Sequence, residues 1–406
     1  MRTKKKQPRR RQGRVLSWIL LLITLASLVN YFRPLDPLKI EKNTPLSQQS
    51  NPNTLPWPSD AVAAIGASGY GVLASSQEAN ESPIPTASIA KVITALAVLK
   101  QKPLALNQQG PTLTLTQEDV DSYNHYYTLG GSLVLVANGE KITEYQAIQA
   151  MLLPSANNMA DTLAKWAFGS LDSYSDYANA FVKQLQLKNT TIGTDASGLS
   201  PTTTSTPSDL VKLGIIALQN PVIAQIVAQQ NATVPVAGTI PNVNRLLGKE
   251  GVNGIKTGNS DEARGCILFS APYEVADGKQ VTIVGAVMGA PTVNKAMAES
   301  LPLLTAAKQN FSLDTIVRAG QSFGDVYIPW SNSTAHAVAQ YDASAITWQH
   351  SVSPVGITMT PISGTIARNT QIGTIDVTGG AATADVPLIL DHEIEKPSFW
   401  WRLVRW

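Results

Sequence analysis

The sequence predicts an α+β protein with an enclosed central helix, followed by a smaller all-β domain. Three observations predict it. Residues 88–99 (SIAKVITALAVL) are apolar on nearly every side, as expected of a helix inside a core. Residues 281–288 (VTIVGAVM) form an almost continuous apolar run of strand length. From about residue 314 the character changes. Short Val/Ile/Thr-rich runs at 325–329, 356–360 and 371–377 alternate there with Gly, Pro, Asn and Ser turns, the mark of a small all-β domain.

Taken in order, residues 1–14 are a basic segment expected in the cytoplasm. Residues 15–32 (VLSWILLLITLASLVNYF) hold no charge over 18 residues, about the minimum for a bilayer span. Eight basic residues precede this run. The positive-inside rule then keeps the N-terminus in the cytoplasm and sends the body outside, as a single-pass signal-anchor protein of the cell membrane. The competing reading is a cleaved signal peptide and a secreted body. Against it, the run is longer than a usual signal core and no A-x-A site follows. Residues 33–56 form a proline-rich tether with neither helical nor strand periodicity. Residues 57–312 form the mixed body, with a helical pattern at 147–168 interrupted by Pro154. Residues 313–396 form the β-rich domain. The tail 397–406 (PSFWWRLVRW) suits a membrane interface, or it packs its rings onto the β-rich domain; both readings stand.

Composition narrows the function. Of 406 residues 44% are hydrophobic, enough for a sizeable core. The net charge of +2 conceals a split: nine basic and no acidic residues lie in the first 33. The remainder carries 22 basic against 29 acidic residues, a net of −7. An acidic body argues against nucleic acid as a partner. A single cysteine excludes an internal disulfide framework and a thiolate zinc cluster. No metal and no cofactor are expected. Cys266 precedes Ile267, Leu268 and Phe269 and reads as a small hydrophobe in a strand core. The four histidines (His125, His336, His350, His392) are scattered and no G-x-S-x-G accompanies them.

The chemistry concentrates in three triplets. Ser88-Ile89-Ala90-Lys91 puts a hydroxyl and an amine three residues apart, on one face of a helix. This pair opens the most apolar helix of the exported part, so Lys91 is buried at a cost unless its charge is used or removed. A buried lysine near another cation loses its proton readily and serves as a general base toward serine. The helix N-terminus adds a positive dipole end beside a developing oxyanion. Ser155-Ala156-Asn157 follows 67 residues after Ser88, and Lys256-Thr257-Gly258 a further 101 residues on. These supply a proton relay and a cation on a strand. Ser122-Tyr123-Asn124 is a second S-x-N in a polar, aromatic stretch.

In this order and spacing the triplets resemble those of the serine D-Ala-D-Ala carboxypeptidases, the low-molecular-mass penicillin-binding proteins. Pro85-Thr86-Ala87-Ser88-Ile89-Ala90-Lys91 with Thr94-Ala95 is similar to that family's nucleophile segment. Gly131-Ser132, Gly139-Glu140 and Leu152-Leu153-Pro154-Ser155-Ala156-Asn157-Asn158 resemble its middle segment. Ser197-Gly198-Leu199, Pro207-Ser208-Asp209-Leu210, Asn244, Leu246-Leu247 and Gly254-Ile255-Lys256-Thr257-Gly258 complete the likeness. The resemblance implies the β-lactamase/penicillin-binding-protein transpeptidase fold. It implies cleavage of the terminal D-Ala from peptidoglycan stem peptides ending in D-Ala-D-Ala, with β-lactams as covalent inhibitors. Ser88 is then the nucleophile, Lys91 its base and Ser155 the proton relay. Asn157, Lys256, Thr257, Gly258 and Asn259 bind substrate, and the N–H groups of Ser88 and Asn259 form the oxyanion hole.

The sequence departs from the family pattern at Ala90, where Thr is usual, at Asn259, where His or Tyr is common, and at Arg264-Gly265. The arginine that helps hold the substrate carboxylate is out of register: Val243 takes its place, with Arg245 or Arg264 as substitutes. Two other readings are a β-lactamase or other serine amidohydrolase on the same fold, and a non-catalytic wall-binding relative. Class A β-lactamases add a glutamate for the deacylating water, and the stretch between Asn157 and Lys256 has almost no Glu.

Overall fold

The computed structural model describes residues 9–43, 54–76, 82–351, 356–379 and 382–405. The first eight residues, part of the expected tether (44–53) and Trp406 of the tail lie outside the described residues. The chain forms two compact units: Ser50–Leu313 with Ile346–Ser351, and Met1–Gln49 with Asp314–Ala345 and Val352–Trp406.

The first unit is built on a five-stranded antiparallel sheet. Its order is Gly254–Ser260, Arg264–Ala276, Lys279–Ala290, Val62–Ala67, Gly71–Ser75. Successive side chains of a strand point to opposite faces, and both faces here are buried. Val281, Ile283 and Val287 join Ile267, Phe269, Ala63 and Ile65 in a core with helix Val293–Gln309. Val284, Ala286 and Met288 join Cys266, Leu268 and Ala64 in the larger helical core. This two-faced burial explains the almost continuous apolar run at 281–288. Gly285 leaves room for the Phe269 ring, whose nearest atom is 2.1 Å from where a Cβ would stand. Residues 346–351 return to this unit because Trp348 packs edge-on against Phe311, ring centroids 4.9 Å apart.

The central helix runs Ala90–Gln101, with residues Ala90 through Leu99 all buried. The expected helical start at Ser88 is instead a 3₁₀ turn, Ala87–Ile89, leading into it. The 147–168 pattern resolves into helices Glu144–Leu152 and Asn157–Phe168. Pro154 cannot continue a helix, and Ser155 takes φ +70° in the break.

The second unit is a six-stranded antiparallel sheet, ordered Lys39–Lys42, Ser322–Tyr327, Thr334–Ala339, Ala382–Leu390, Gln371–Gly379, Gly356–Met359. Phe323, Val326, Ala337, Ile375, Val386 and Leu388 form its core. The strand Lys39–Lys42 corrects the expectation of a tether without strand structure. It lies at the open edge of the sheet, paired from Lys39↔Tyr327 to Lys42↔Gly324. Main-chain pairing at an edge needs no alternating pattern, and the two lysines suit a solvated edge. Helix Arg9–Phe32 belongs to this unit. Its stretch Arg14–Phe32 is long and apolar enough to cross a membrane. The tail forms a short helix, Phe399–Val404.

Candidate active site

The local folding of each motif explains how its groups meet. Ile84–Pro85 pairs with Thr204–Ser205, and the chain then turns sharply at Ala87, whose φ is +45°. A non-glycine residue there is strained, and such strain is held only where the surroundings fix it. The 3₁₀ turn sets Ser88 half-buried above Lys91, three residues on. The second motif opens helix Asn157–Phe168, with Asn157 N–H donating to Ser132 O (2.8 Å). The third lies on Gly254–Ser260, the edge strand of its sheet. A Cβ on Gly258 would stand 2.9 Å from Thr86 O and 3.2 Å from the Ser88 nitrogen. Glycine therefore lets this strand run against the nucleophile turn.

Lys91 is fully buried and makes three short contacts: Ser88 Oγ at 2.7 Å, Asn157 Oδ1 at 2.7 Å and Ser197 O at 3.0 Å. The last two atoms only accept. A neutral amine has two hydrogens and one lone pair. As an ammonium Lys91 donates to all three atoms, Ser88 Oγ included; in its neutral form, two N–H bonds to Asn157 and Ser197 would leave the lone pair facing the Ser88 hydroxyl. Burial lowers the Lys91 pKa to about 7, opposed by the charges of Asp195 and Asp161. Lys256 is also buried, donates to Thr257 O (3.0 Å), and is held well below the usual lysine value by burial and by the charge of Lys91. Two ammonium groups so placed resist carrying two protons together.

Ser88, Ser155, Thr257, Gly258 and Asn259 line one cavity of about 510 Å³, with Ser132 and Arg245 in its wall. Lys91, Asn157 and Lys256 are buried and are not among its lining residues. Arg245 is thus the arginine at the cavity. Arg264 sits at the end of the hairpin between two strands, exposed, and is not part of the wall. Ser122 and Asn124 lie on helix Gln117–Thr128 and do not reach the cavity. His336 pairs with Asp325 and His392 with Asp391, each at 2.8 Å in the β-rich unit. None of the four histidines lines the cavity, so no Ser-His-Asp triad forms there. Cys266 is fully buried in its strand, and burial pushes its thiol up to about 11. A larger cavity of about 800 Å³ lies in the β-rich unit and contains none of the motif residues.

Sequence reasoning gave no role to several residues that hold the site. Asp195 accepts from the N–H groups of Ser197, Gly198 and Ser200, fixing the loop whose carbonyl meets Lys91. The signal was the Asp-Ala-Ser-Gly run, which reads as an Asx-type turn. Asp161, one turn beyond Asn157, accepts from the Tyr126 hydroxyl (2.8 Å), and burial raises its carboxyl to about 6. Ser132 follows Gly131, where a Cβ would lie 2.7 Å from Asn157 Nδ2.

Comparison with known proteins agrees with this geometry. The family model for D-alanyl-D-alanine carboxypeptidase matches residues 56–292. The D-alanyl-D-alanine carboxypeptidase DacA of Escherichia coli K12 is 24% identical over 336 residues, 78% of this chain and 79% of that protein. Two solved structures share the fold. The Streptomyces K15 DD-transpeptidase has a TM-score of 0.55 at 22% identity, covering 63% of this chain and 98% of that one. PBP3 of Streptococcus pneumoniae, a peptidoglycan synthesis regulatory factor, has a TM-score of 0.59 at 18% identity, covering 84% of this chain and 100% of that one. The family match alone spans more than half of the sequence, and the chain belongs to the D-alanyl-D-alanine carboxypeptidases.

Proposed function

We propose that this serine carboxypeptidase removes the terminal D-Ala from peptidoglycan stem peptides through an acyl-enzyme on Ser88. The observation that carries the reading is the Lys91 amine, 2.7 Å from Ser88 Oγ and bonded behind to Asn157 and Ser197. Ser88 Oγ attacks the carbonyl carbon of the penultimate D-Ala as its proton passes to Lys91 Nζ. The Ser88 and Asn259 N–H groups receive the oxyanion. Ser155 hands the proton to the departing amine of the terminal D-Ala. Water then attacks the ester, its proton returns through the same groups, and Ser88 is restored. Lys256, Thr257 and Arg245 hold the terminal carboxylate, and Asn157 holds a substrate amide. The free edge of Gly254–Ser260 takes the substrate backbone as an added strand. β-Lactams enter as substrate mimics and remain on Ser88. No glutamate lines the cavity among the described residues, which fits a carboxypeptidase better than a class A lactamase.

The helix Arg9–Phe32 serves as a single-pass anchor, with the basic segment inside and the catalytic unit outside the cell membrane. Its support is the apolar stretch Arg14–Phe32 behind a block of uncompensated positive charge. Fluorescent penicillin labelling of wild type and Ser88→Ala, with D-Ala release from a D-Ala-D-Ala peptide, tests the catalytic reading. Labelling that persists in Ser88→Ala removes Ser88 as nucleophile.

A further inference from the structure

The catalytic unit carries an aromatic patch that the mechanism does not use. Tyr127 (69% exposed), Leu129 (55%) and Leu135 (50%) are among the most exposed large apolar side chains of this unit, and they fall close together in sequence. Contiguous exposed apolar surface on a folded unit marks a binding site. Tyr123 and Tyr127 lie four positions apart on helix Gln117–Thr128 and so share a face. Their rings are near-parallel, 20° apart, with centroids at 6.4 Å. Tyr126, between them in sequence, turns inward to Asp161 instead. Tyr123 is half-buried and packs on the core, which fixes the inner member of the pair. The Tyr127 ring is left open to solvent.

A short turn joins the patch to the active-site cavity. Gly131 N–H donates to Tyr126 O (2.9 Å), and the next residue, Ser132, lines the cavity. Standard backbone lengths then hold the Cα atoms of Tyr127 and Ser132 within roughly 11 Å of each other. In the turn, Gly130 has φ +64°, and a Cβ there would meet nothing within 4 Å, so the turn is open on that side. Ser132 O also accepts from Asn157 N–H (2.8 Å), which sets this wall beside the residue proposed to hold a substrate amide. A stem that passes Asn157 on its way upstream leaves the cavity on the side of this helix. An extended chain covers about 3.5 Å per residue, so about three or four residues suffice to reach the rings.

The chemistry of the patch selects its occupant. Residues 122–139 contain no Asp, Glu, Lys or Arg, in a body whose net charge is −7. An anionic lipid surface or a nucleic acid would need cations here. A tyrosine ring is apolar on its face and polar at its tip, which suits a neutral ligand with apolar faces and many hydroxyls. A pyranose ring is such a ligand: its axial C–H bonds meet an aromatic face while its hydroxyls stay in water. The upstream end of a peptidoglycan stem is joined to N-acetylated sugars of this kind, and Leu129 and Leu135 offer contact for acetamido methyl groups. We propose that Tyr123, Tyr127, Leu129 and Leu135 form a platform for the N-acetylhexosamine strand that carries the stem. The proposal rests on the carboxypeptidase reading of the cavity and deepens it, because the enzyme then binds its substrate at the glycan as well as at the peptide terminus.

The test compares D-Ala release from two soluble substrates that share one stem: the pentapeptide alone, and the same pentapeptide on its N-acetylglucosaminyl-N-acetylmuramic acid disaccharide. The enzyme is the full chain in detergent micelles. The readout is the ratio of kcat/KM for the two substrates, which cancels any fraction of misfolded protein. The wild type is expected to prefer the disaccharide form about 10-fold, the order of one aromatic contact, with the difference in KM. Tyr127→Ala is expected to abolish the preference and Tyr127→Trp to keep it. A wild type without preference, or a preference that Tyr127→Ala leaves unchanged, overturns the platform while leaving the carboxypeptidase intact. Release from neither substrate by the wild type overturns the carboxypeptidase reading and the platform with it. A wild type that is dimeric by light scattering while Tyr127→Ala is monomeric shows that a second copy covers the patch, which also overturns the platform.

Discussion

Replacing Gly198 by alanine is expected to disturb Lys91, the proposed general base, without touching a reacting group. Gly198 has φ +76°, and a Cβ there would stand 2.2 Å from Ala87 O and 2.6 Å from Ala90 Cβ. Ordinary contact begins near 3.4 Å, so the loop must retreat by about 1 Å or the nucleophile turn must yield. The left-handed conformation costs an alanine about 1–2 kcal/mol, and overpacking adds about 1–3 kcal/mol. The loop carries the Ser197 carbonyl that orients Lys91 Nζ, and a misplacement of that size costs on the order of 100-fold in rate. The assay is the second-order rate of Ser88 acylation by fluorescent penicillin, with thermal melting followed in parallel. Gly238→Ala is the control. Gly238 also has positive φ (+69°), but nothing lies within 4 Å of its Cβ position, so it reports backbone cost alone. A Gly198→Ala protein that acylates at the wild-type rate refutes the claim that this loop positions the base.

Three further outcomes follow from the same geometry. As the proposed base Lys91 acts when neutral, and its pKa is lowered to about 7. Acylation therefore falls about tenfold per pH unit below that value and levels off above it; a flat profile through neutrality contradicts the assignment. The Asp161 charge raises the Lys91 pKa. Asp161→Asn keeps an acceptor for Tyr126 but removes the charge, so the acid limb of the acylation profile moves to lower pH, measured against an unshifted wild type. Arg245→Gln is expected to raise KM about 10–100-fold for a peptide with a free C-terminal carboxylate, the worth of a charged hydrogen bond. Arg264→Gln leaves KM unchanged, and steady-state D-Ala release distinguishes the two.

The parts of the site that were legible in the sequence are those that break a local pattern. Lys91 inside an otherwise apolar helix announces itself, as does the Pro154 interruption before Ser155. Strand 281–288 was legible because burial on both faces demands an apolar run. The rest depends on main-chain groups brought together from afar. Ser197 supplies a carbonyl to Lys91 across 106 positions of sequence, and any residue type has that carbonyl. Lys39–Lys42 pairs through its backbone with a strand that begins at Ser322, so its side chains give no warning. The sequence of the tail suits either a membrane interface or packing on the β-rich domain; its guanidinium bonds to Asn30 and Tyr31 join segments 375 and 371 positions apart. The choice between Arg245 and Arg264 turned on cavity position, which register alone does not encode.

The place of Gly254–Ser260 at the margin of its sheet bears on how much variety the enzyme tolerates. A sheet margin offers amide and carbonyl groups, and those groups are identical in every peptide. In the proposed binding mode, recognition along it is blind to the side chains of the stem, while Thr257 and Arg245, which line the cavity, are the groups that would respond to the charge at the chain's end. Along the stem peptide, discrimination falls on the terminus and leniency on the residues upstream. A cell wall can then alter its stem composition without a matching change in this strand, whereas any chemistry that masks the terminal carboxylate removes the peptide from the enzyme's reach.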